Sequence, residues 1–175
     1  MDEKKQQQRR HAHVVNVDEV PVDDISQGTK FGARDRRLAF HAQGHKLGCS
    51  HYEVPPGKTA FPFHYHCANE EAIFVLAGEG TIRIGHERVP VRAGDYIAHP
   101  PGPDHAHQMI NTGTVPLSYL CMSTMTPVEV VGYPDSKKLA ASAAASTEEA
   151  MHGRRWLRHI WREGPSAGYY DGEES

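Results

Sequence analysis

The sequence predicts an all-β fold, a sandwich or barrel of antiparallel strands, in the middle of the chain. From Lys46 onward, short runs of β-branched and aromatic residues are separated by Gly or Pro. Short strands divided by turns about every eight to twelve residues are typical of antiparallel sandwiches and barrels. Leu, Ile, Val and Phe concentrate between positions 47 and 133, so we expect the hydrophobic core there.

Composition divides the chain into three parts, although its 175 residues are the size of one domain. We predict an N-terminal arm over residues 1–35, with a short extended piece at 14–25, and a barrel over residues 36–133. Turn residues bound the expected strands, which are 46–54, 60–66, 71–77, 80–84, 87–92, 95–99, 105–111, 117–124 and 128–131. No helix is expected between these strands.

Residues 134–175 are predicted to form a linker and a C-terminal extension that packs on the barrel. The Ala- and Ser-rich stretch 139–146 has too few large apolar residues for a core and is expected to be the linker. Ser146 and Glu149 then resemble a capping box, and large apolar residues recur at helical spacing, namely Trp156, Leu157, Ile160 and Trp161. We predict a helix of about four turns over 147–163. An extended strand over 154–161 is the alternative.

Charge and apolar runs exclude several classes of partner. Lys and Arg number 19 against 22 Asp and Glu, a net charge of −3, so there is no overall positive field to attract nucleic acid. The longest apolar run, 72–77, is too short to span a membrane. The start of the chain, 1–10, is charged and lacks the apolar centre of a secretory signal, so we expect a cytoplasmic protein.

Histidine is the unusual component, because the chain has 13 of them and several lie close together. His64 and His66 are two residues apart, so both imidazoles point to one face if the segment is a strand. The turn that follows brings a carboxylate, Glu71 or its neighbour Glu70, beside them from the next strand. Two imidazoles and a carboxylate make a site for a divalent transition metal. A second His-rich segment, 99–107, supplies a further imidazole.

These two segments resemble the two sequence motifs of the cupin superfamily. The first motif is matched by Gly57, His64, His66, Glu71 and Gly78, and the front of the second by Gly94, Pro100, Gly102 and His105. The second motif is two residues too long, because His107, and not His105, stands four residues before Asn111. We prefer His107 as the ligand because its distance from the Asn turn fixes which side chain enters the barrel, and we keep His105 as the second choice.

The resemblance implies a double-stranded β-helix, the cupin or jelly-roll barrel. It also implies one divalent transition metal per chain, Mn, Fe, Zn or Ni, held by His64, His66, Glu71 and His107. Strand parity with Ile73 and Val75 favours Glu71 over Glu70. A small-molecule ligand is expected in the barrel, and a homodimer is expected because similar small cupins are often dimers. In the dimer, the arm or a barrel edge is expected to pair with the partner.

Within the superfamily, the chain is similar to small single-domain cupins, some of which carry the name sugar-phosphate isomerase. This similarity implies an isomerase-like metalloenzyme acting on a sugar phosphate or related hydroxycarbonyl compound, with Glu70, His99 or His105 as the proton-transferring residue. The alternatives are an Fe(II) dioxygenase and a non-catalytic, metal-dependent binding or sensing module. An isomerase predicts phosphate-binding cations in the lumen, with Lys58 and Arg83 as candidates, whereas a dioxygenase predicts a mostly apolar lumen.

Overall fold

The computed structural model describes residues 11–173 and consists mainly of β-strands. The strands in chain order are β1 (Asp23–Gln27), β2 (Phe31–Arg36), β3 (Leu47–Val54), β4 (Tyr65–His66), β5 (Glu71–Ala77), β6 (Glu79–Ile84), β7 (Glu87–Arg92), β8 (Tyr96–His99), β9 (His107–Ile110), β10 (Leu117–Thr124), β11 (Val128–Tyr133), β12 (Lys138–Ala143) and β13 (Leu157–Arg162). The described residues also form two short α-helices, α1 (Leu38–His41) and α2 (Thr147–Met151). Within residues 11–173, no helix has the length and apolar character needed to cross a bilayer.

The strands form antiparallel sheets, which confirms the all-β prediction. One sheet has the order β1-β2-β3-β10-β5-β8, a second has the order β13-β12-β11-β4, and β7-β6-β9 form a third. An isolated antiparallel bridge between His64 and His107 connects the segment before β4 to the start of β9. The two histidine-rich segments are therefore hydrogen-bonded neighbours in the fold.

The core lies between the inward faces of these strands. In β5, Ile73 and Val75 are buried whereas Phe74 is exposed, so the odd-numbered positions face inward. Glu71 has the same parity. In β9 the parity likewise places His107 beside the buried Met109 on the inner face. The ordinary alternation of a half-buried strand thus carries polar side chains into an otherwise apolar interior.

Asn111 fixes the end of β9. It is fully buried, and its amide nitrogen donates to the carbonyl oxygens of Val54 and Val115 at 2.7 and 2.8 Å. Its Oδ1 accepts the backbone N–H of Gly113 at 2.9 Å. These bonds satisfy the buried amide and hold the turn after β9, which in turn sets the position of His107.

Three of the segments predicted to be extended contain turns or irregular chain. The segment predicted as a strand at 60–66 is paired as a regular strand only at β4, because Pro62 has no backbone N–H to donate. The strand predicted at 105–111 begins at His107, since Pro103–His105 form a 3₁₀ turn. The extended piece predicted at 14–25 contains a 3₁₀ turn at Val17–Glu19, and β1 begins after it. The first ten residues of the predicted arm lie outside the described residues.

The C-terminal predictions were wrong in two respects. The stretch 139–146, expected to be a linker, contains most of β12, which pairs with β11. The predicted four-turn helix is α2, a helix of five residues, and the apolar residues beyond it form β13, which pairs with β12. Ser146 does cap the helix, accepting the N–H of Glu149 at 3.2 Å. Gly153, with φ of 76°, ends the helical segment, so the strand alternative describes the rest.

Candidate metal centre

Three predicted ligands lie close together, two of them at β4 and the third at the start of β5. Donor atoms of His64, His66 and Glu71 all lie within 4.8 Å of one another. His66 Nε2 is 3.4 Å from Glu71 Oε2, and His107 Nε2 is 3.0 Å from the same oxygen. The ring centroids of His64 and His107 are 4.7 Å apart. The structure therefore brings His64, His66, Glu71 and His107 together.

Each of the three imidazoles has an oxygen beside its Nδ1. The Nδ1 of His64 is 2.8 Å from the Pro62 carbonyl oxygen, and that of His107 is 3.1 Å from the His105 carbonyl oxygen. The Nδ1 of His66 lies 3.5 Å from Glu129 Oε2. Carbonyl and carboxylate oxygens only accept hydrogen bonds, so each Nδ1 can donate to its oxygen, and Nε2 is the nitrogen that a metal ion could take.

Burial and the neighbouring charges set the protonation of the cluster. Burial alone would raise the pKa of Glu71, but His107, which is hydrogen-bonded to this carboxylate, and His66, 3.4 Å from it, hold this pKa well below its ordinary value. Burial lowers the pKa of His64 to about 4. For His66, burial acts in the same direction, but Glu129 and Glu71 outweigh it and raise the pKa to about 9. At neutral pH the cluster thus contains an ionised carboxylate and a neutral His64.

The other predicted site residues lie outside this cluster. Glu70 has an exposed side chain. His105 lies in the 3₁₀ turn and contributes its carbonyl oxygen, not its ring, to His107. His99, in β8, is 2% exposed, and its ring stacks on that of His107 with centroids 3.7 Å apart. Burial lowers the pKa of His99 to about 3, so its ring is neutral.

Glu129 is a functional candidate that the sequence analysis missed. It lies in β11, is 8% exposed, and accepts the backbone N–H groups of Cys67, Ala68 and Asn69 at 2.8–3.1 Å. Its carboxylate thus orders the loop between β4 and β5 and faces His66 at the same time. The available signal was a single acidic residue among valines in a predicted strand, because a buried carboxylate needs partners.

The cluster opens into a cavity of about 220 Å³ inside the barrel, which we call the lumen. Besides the four clustered residues, its walls are mostly apolar and aromatic: Tyr52, Ala60, Phe61, Ile73, Gln108, Met109, Tyr119 and Cys121. No Lys or Arg is found among the described residues that line it. Lys58 donates to the Thr29 carbonyl oxygen at 2.6 Å, and Arg83 pairs with Asp135 at 2.7 Å. Both predicted phosphate-binding cations are therefore engaged elsewhere.

Comparison with known families identifies this barrel. A family profile described as the cupin domain matches residues 50–123, which include His64, His66, Glu71 and His107. The chain contains a cupin domain. The antiparallel barrel described above is accordingly the double-stranded β-helix of cupins, as the two motifs predicted. Cupin domains commonly bind a metal, and His64, His66 and Glu71 form a cluster that could hold one.

Solved structures share the cupin fold at low sequence identity. A sugar phosphate isomerase of the cupin superfamily from Silicibacter pomeroyi is 21% identical, with a TM-score of 0.73 over 90% of this chain and 98% of that one. A protein provisionally assigned as a sugar phosphate isomerase, from Acidithiobacillus ferrooxidans, is 22% identical, with a TM-score of 0.68 over 74% and 86%. A predicted oxalate decarboxylase from Thermotoga maritima is 24% identical, with a TM-score of 0.55 over 63% and 97%. No curated protein matches the sequence.

Proposed function

We propose that this cupin binds one divalent transition metal per chain through His64, His66, Glu71 and His107. The observation that carries the proposal is the orientation of the imidazoles. All three place Nδ1 against an oxygen, which leaves Nε2 as the nitrogen to face a metal, and this is how metal-binding histidines are held in proteins. His66 also has no well-aligned hydrogen bond at either buried ring nitrogen. A buried nitrogen without a partner costs free energy, and a metal bound at Nε2 would remove that cost for this nitrogen.

The donor set suits Mn, Fe, Zn or Ni, because imidazole and carboxylate ligands serve all four. When bound, the metal would act as a Lewis acid towards the oxygens of a ligand. The lumen, at about 220 Å³ and with mostly apolar walls, suits a small organic molecule. Tyr52 lies in the wall beside Glu71, and burial raises its pKa, so its phenol stays protonated and can donate a hydrogen bond to a ligand oxygen.

The activity we propose is isomerisation of a sugar phosphate or a related hydroxycarbonyl compound. Support comes from the metal donor set, from the protonated phenol and from the likeness to two structures with sugar phosphate isomerase names. The proposal does not use Glu70, His99 or His105 as the proton-transferring base, since none of these residues lines the lumen. His99 instead supports the ring of His107 by stacking on it.

An Fe(II) dioxygenase is the second candidate. The observation that favours it is the apolar lumen, which offers space for molecular oxygen beside a chelating substrate. A binding or sensing module would use the same ligands without turnover.

The first experiment measures metal content by mass spectrometry in the wild type and in the double variant His64→Ala/His66→Ala. We expect about one metal per wild-type chain and none in the variant, whose circular dichroism spectrum should remain that of a β-barrel. The matched control is His45→Ala/His86→Ala, because both of these histidines are exposed. Full metal content in the His64→Ala/His66→Ala variant would refute the site.

The second experiment identifies the reaction. Protein reconstituted with Mn, Fe(II), Zn or Ni is incubated with aldose and ketose phosphates and followed by NMR, and oxygen uptake is recorded in parallel. Interconversion of the sugar phosphates supports the isomerase. Metal-dependent oxygen uptake without interconversion would overturn it in favour of the dioxygenase, and binding without either reaction would overturn it in favour of the sensing module.

We also propose that the protein is a homodimer. The edge strand β13 is exposed along its whole length, and Ile160 and Trp161 remain 55% and 39% exposed. Trp156, just before it, is 77% exposed. An open apolar edge strand can pair with another strand, and a twofold axis allows β13 of one chain to pair with β13 of a second chain.

A further inference from the structure

A second cavity, which we call the side cavity, adjoins the metal centre. It has a volume of about 260 Å³ and shares Tyr52, Glu71 and Cys121 with the wall of the lumen. Its remaining walls come from β3 and β10 of the barrel and from two segments outside the matched cupin residues. One of these segments is the start of α1, and the other is the chain around and after the end of α2. A ligand in the side cavity would therefore lie next to Glu71.

Two arginines, Arg37 and Arg155, line the side cavity. Arg155 is half-buried, and within residues 11–173 it makes no hydrogen bond or ion pair. Its neighbour Arg154, by contrast, lies 3.7 Å from Glu149. Arg37 contacts Asp23 through Nε at 3.3 Å and stacks over Phe40, so this ion pair does not occupy its terminal nitrogens. Two cationic residues thus border one cavity, and each has guanidinium N–H groups that these contacts do not use.

The surroundings favour an anion between these groups. Ser50 and Ser123 also line the side cavity. The carboxylate in the wall, Glu71, is paired with His66 and His107. Asp35 does not line the side cavity; it interacts with Ser50, and burial raises its pKa. Guanidinium groups bind phosphate through paired, charge-assisted hydrogen bonds, and two of them match the charge of a phosphate monoester.

We infer that the side cavity binds the phosphate group of the substrate through Arg37 and Arg155, while the hydroxycarbonyl end lies at the metal centre beyond Glu71. This inference rests on the proposed function and supplies the phosphate-binding cations that the lumen lacks. It makes Arg37 and Arg155 specificity-determining residues that distinguish a phosphorylated substrate from the free hydroxyketone.

The test compares two probes that differ in the phosphate group, dihydroxyacetone phosphate and dihydroxyacetone, titrated into metal-loaded protein by calorimetry. The wild type should bind the phosphorylated probe more tightly. Arg155→Gln and Arg37→Gln should each weaken its binding about tenfold, the loss expected for one charge-assisted hydrogen bond, and leave dihydroxyacetone unaffected. The matched control is Arg154→Gln, which removes the same charge next to the cavity and should bind both probes as the wild type does.

Two further measurements separate this inference from the proposed metal site. If Arg37→Gln and Arg155→Gln keep one metal per chain and bind both probes normally, the phosphate site is refuted and the metal site stands. Inorganic phosphate is also titrated into metal-free protein. Binding that Arg155→Gln abolishes would support the phosphate site even if the His64→Ala/His66→Ala variant retained its metal, and binding that this substitution leaves unchanged would overturn it.

Discussion

Each of the three imidazoles in the centre is restrained by an oxygen beside Nδ1, and two of them, His66 and His107, place Nε2 within 3.4 Å of Glu71 Oε2. Two of the restraints are carbonyl oxygens within two residues of the histidine itself, so they are part of the local chain path. The third, Glu129, comes from a different strand and also holds the loop after β4. The orientation of His66 thus depends on a long-range contact, whereas that of His64 and His107 is fixed locally.

Substitution of the two histidines of the second motif tests this geometry. His107→Ala should lose most of the metal, because it removes an Nε2 beside Glu71. His105→Ala should keep the metal, because it preserves the carbonyl oxygen that holds His107. Metal content after dialysis measures both variants. The opposite pattern would show that the ring of His105 is the ligand.

Substitution of Glu129 tests the long-range restraint. Glu129→Gln should weaken metal affinity roughly 10- to 100-fold, the usual loss when a carboxylate behind a metal-binding histidine is removed. Competition with a chelator measures the affinity. Glu87→Gln is the control, since Glu87 is an exposed carboxylate at the start of β7. Equal affinities in the two variants would contradict the role of Glu129.

Among the elements, strands bounded by Gly and Pro were predictable from the sequence, whereas the C-terminal strands were not. Turn residues bound β5, β6 and β7 closely, so their limits follow from local chemistry. β12 is rich in Ala, which has little strand preference, and the spacing of apolar residues in β13 also fits a helix. These two strands form because they pair with each other and with β11. Such pairing depends on tertiary contacts, which the local sequence pattern does not show.

The same distinction between local pattern and tertiary contact applies to the residues of the metal centre and the side cavity. His64, His66 and Glu71 were predictable because strand parity and a short turn bring them together. Glu129 was not, because it lies 60 residues from Asn69, to which it bonds. Arg37 and Arg155 were missed as a pair for the same reason, since they come from opposite ends of the described chain. No local pattern connects them.

Gly80 in β6 provides a test at the level of the elements. A Cβ at this position would lie 2.6 Å from the Ile110 carbonyl oxygen and 2.7 Å from Leu117, so alanine would force β6 away from β9. Gly80→Ala should lower the free energy of unfolding by about 1–3 kcal/mol, the usual cost of overpacking. Gly164→Ala is the control, because a Cβ at position 164 would meet no other atom within 4 Å. Urea denaturation measures both variants.

For the whole molecule, the buried histidines make the stability of the metal-free protein depend on pH. The pKa of His99 is about 3 in the folded state, against 6.5 for an unburied histidine. Below pH 6.5 the unfolded chain therefore binds more protons at this residue than the folded chain does. As far as His99 is concerned, stability should be highest above this pH and fall as the pH decreases towards 3, by at most about 1.4 kcal/mol per unit.

Urea denaturation at pH 7 and pH 5 measures this effect. His99→Gln should reduce the difference between the two pH values without abolishing it, because burial also lowers the pKa of His64. His86→Gln, which replaces an exposed histidine, should leave the difference unchanged. An unaltered difference in His99→Gln would contradict the assignment.

The assembly of the molecule is tested at the open edge of β13. We expect light scattering to give the mass of two chains for the wild type and of one chain for Ile160→Glu, because a buried charge would oppose pairing of the two edges. The control is Val89→Glu on β7, where an equally drastic charge is placed at the edge of a different sheet. A monomeric wild type would refute the dimer, and a monomeric Val89→Glu variant with a dimeric Ile160→Glu variant would move the interface to β7.

The side cavity joins the cupin barrel to the segments that flank it. Its inner wall belongs to the matched domain, but Arg37 and Arg155 lie before and after that domain in the chain. Exchange of these flanking segments between barrels would therefore alter ligand preference while leaving the metal ligands in place. The flanking segments become the natural units for recombination, and a chimaera that carries both of them on another cupin barrel should inherit the preference for phosphate.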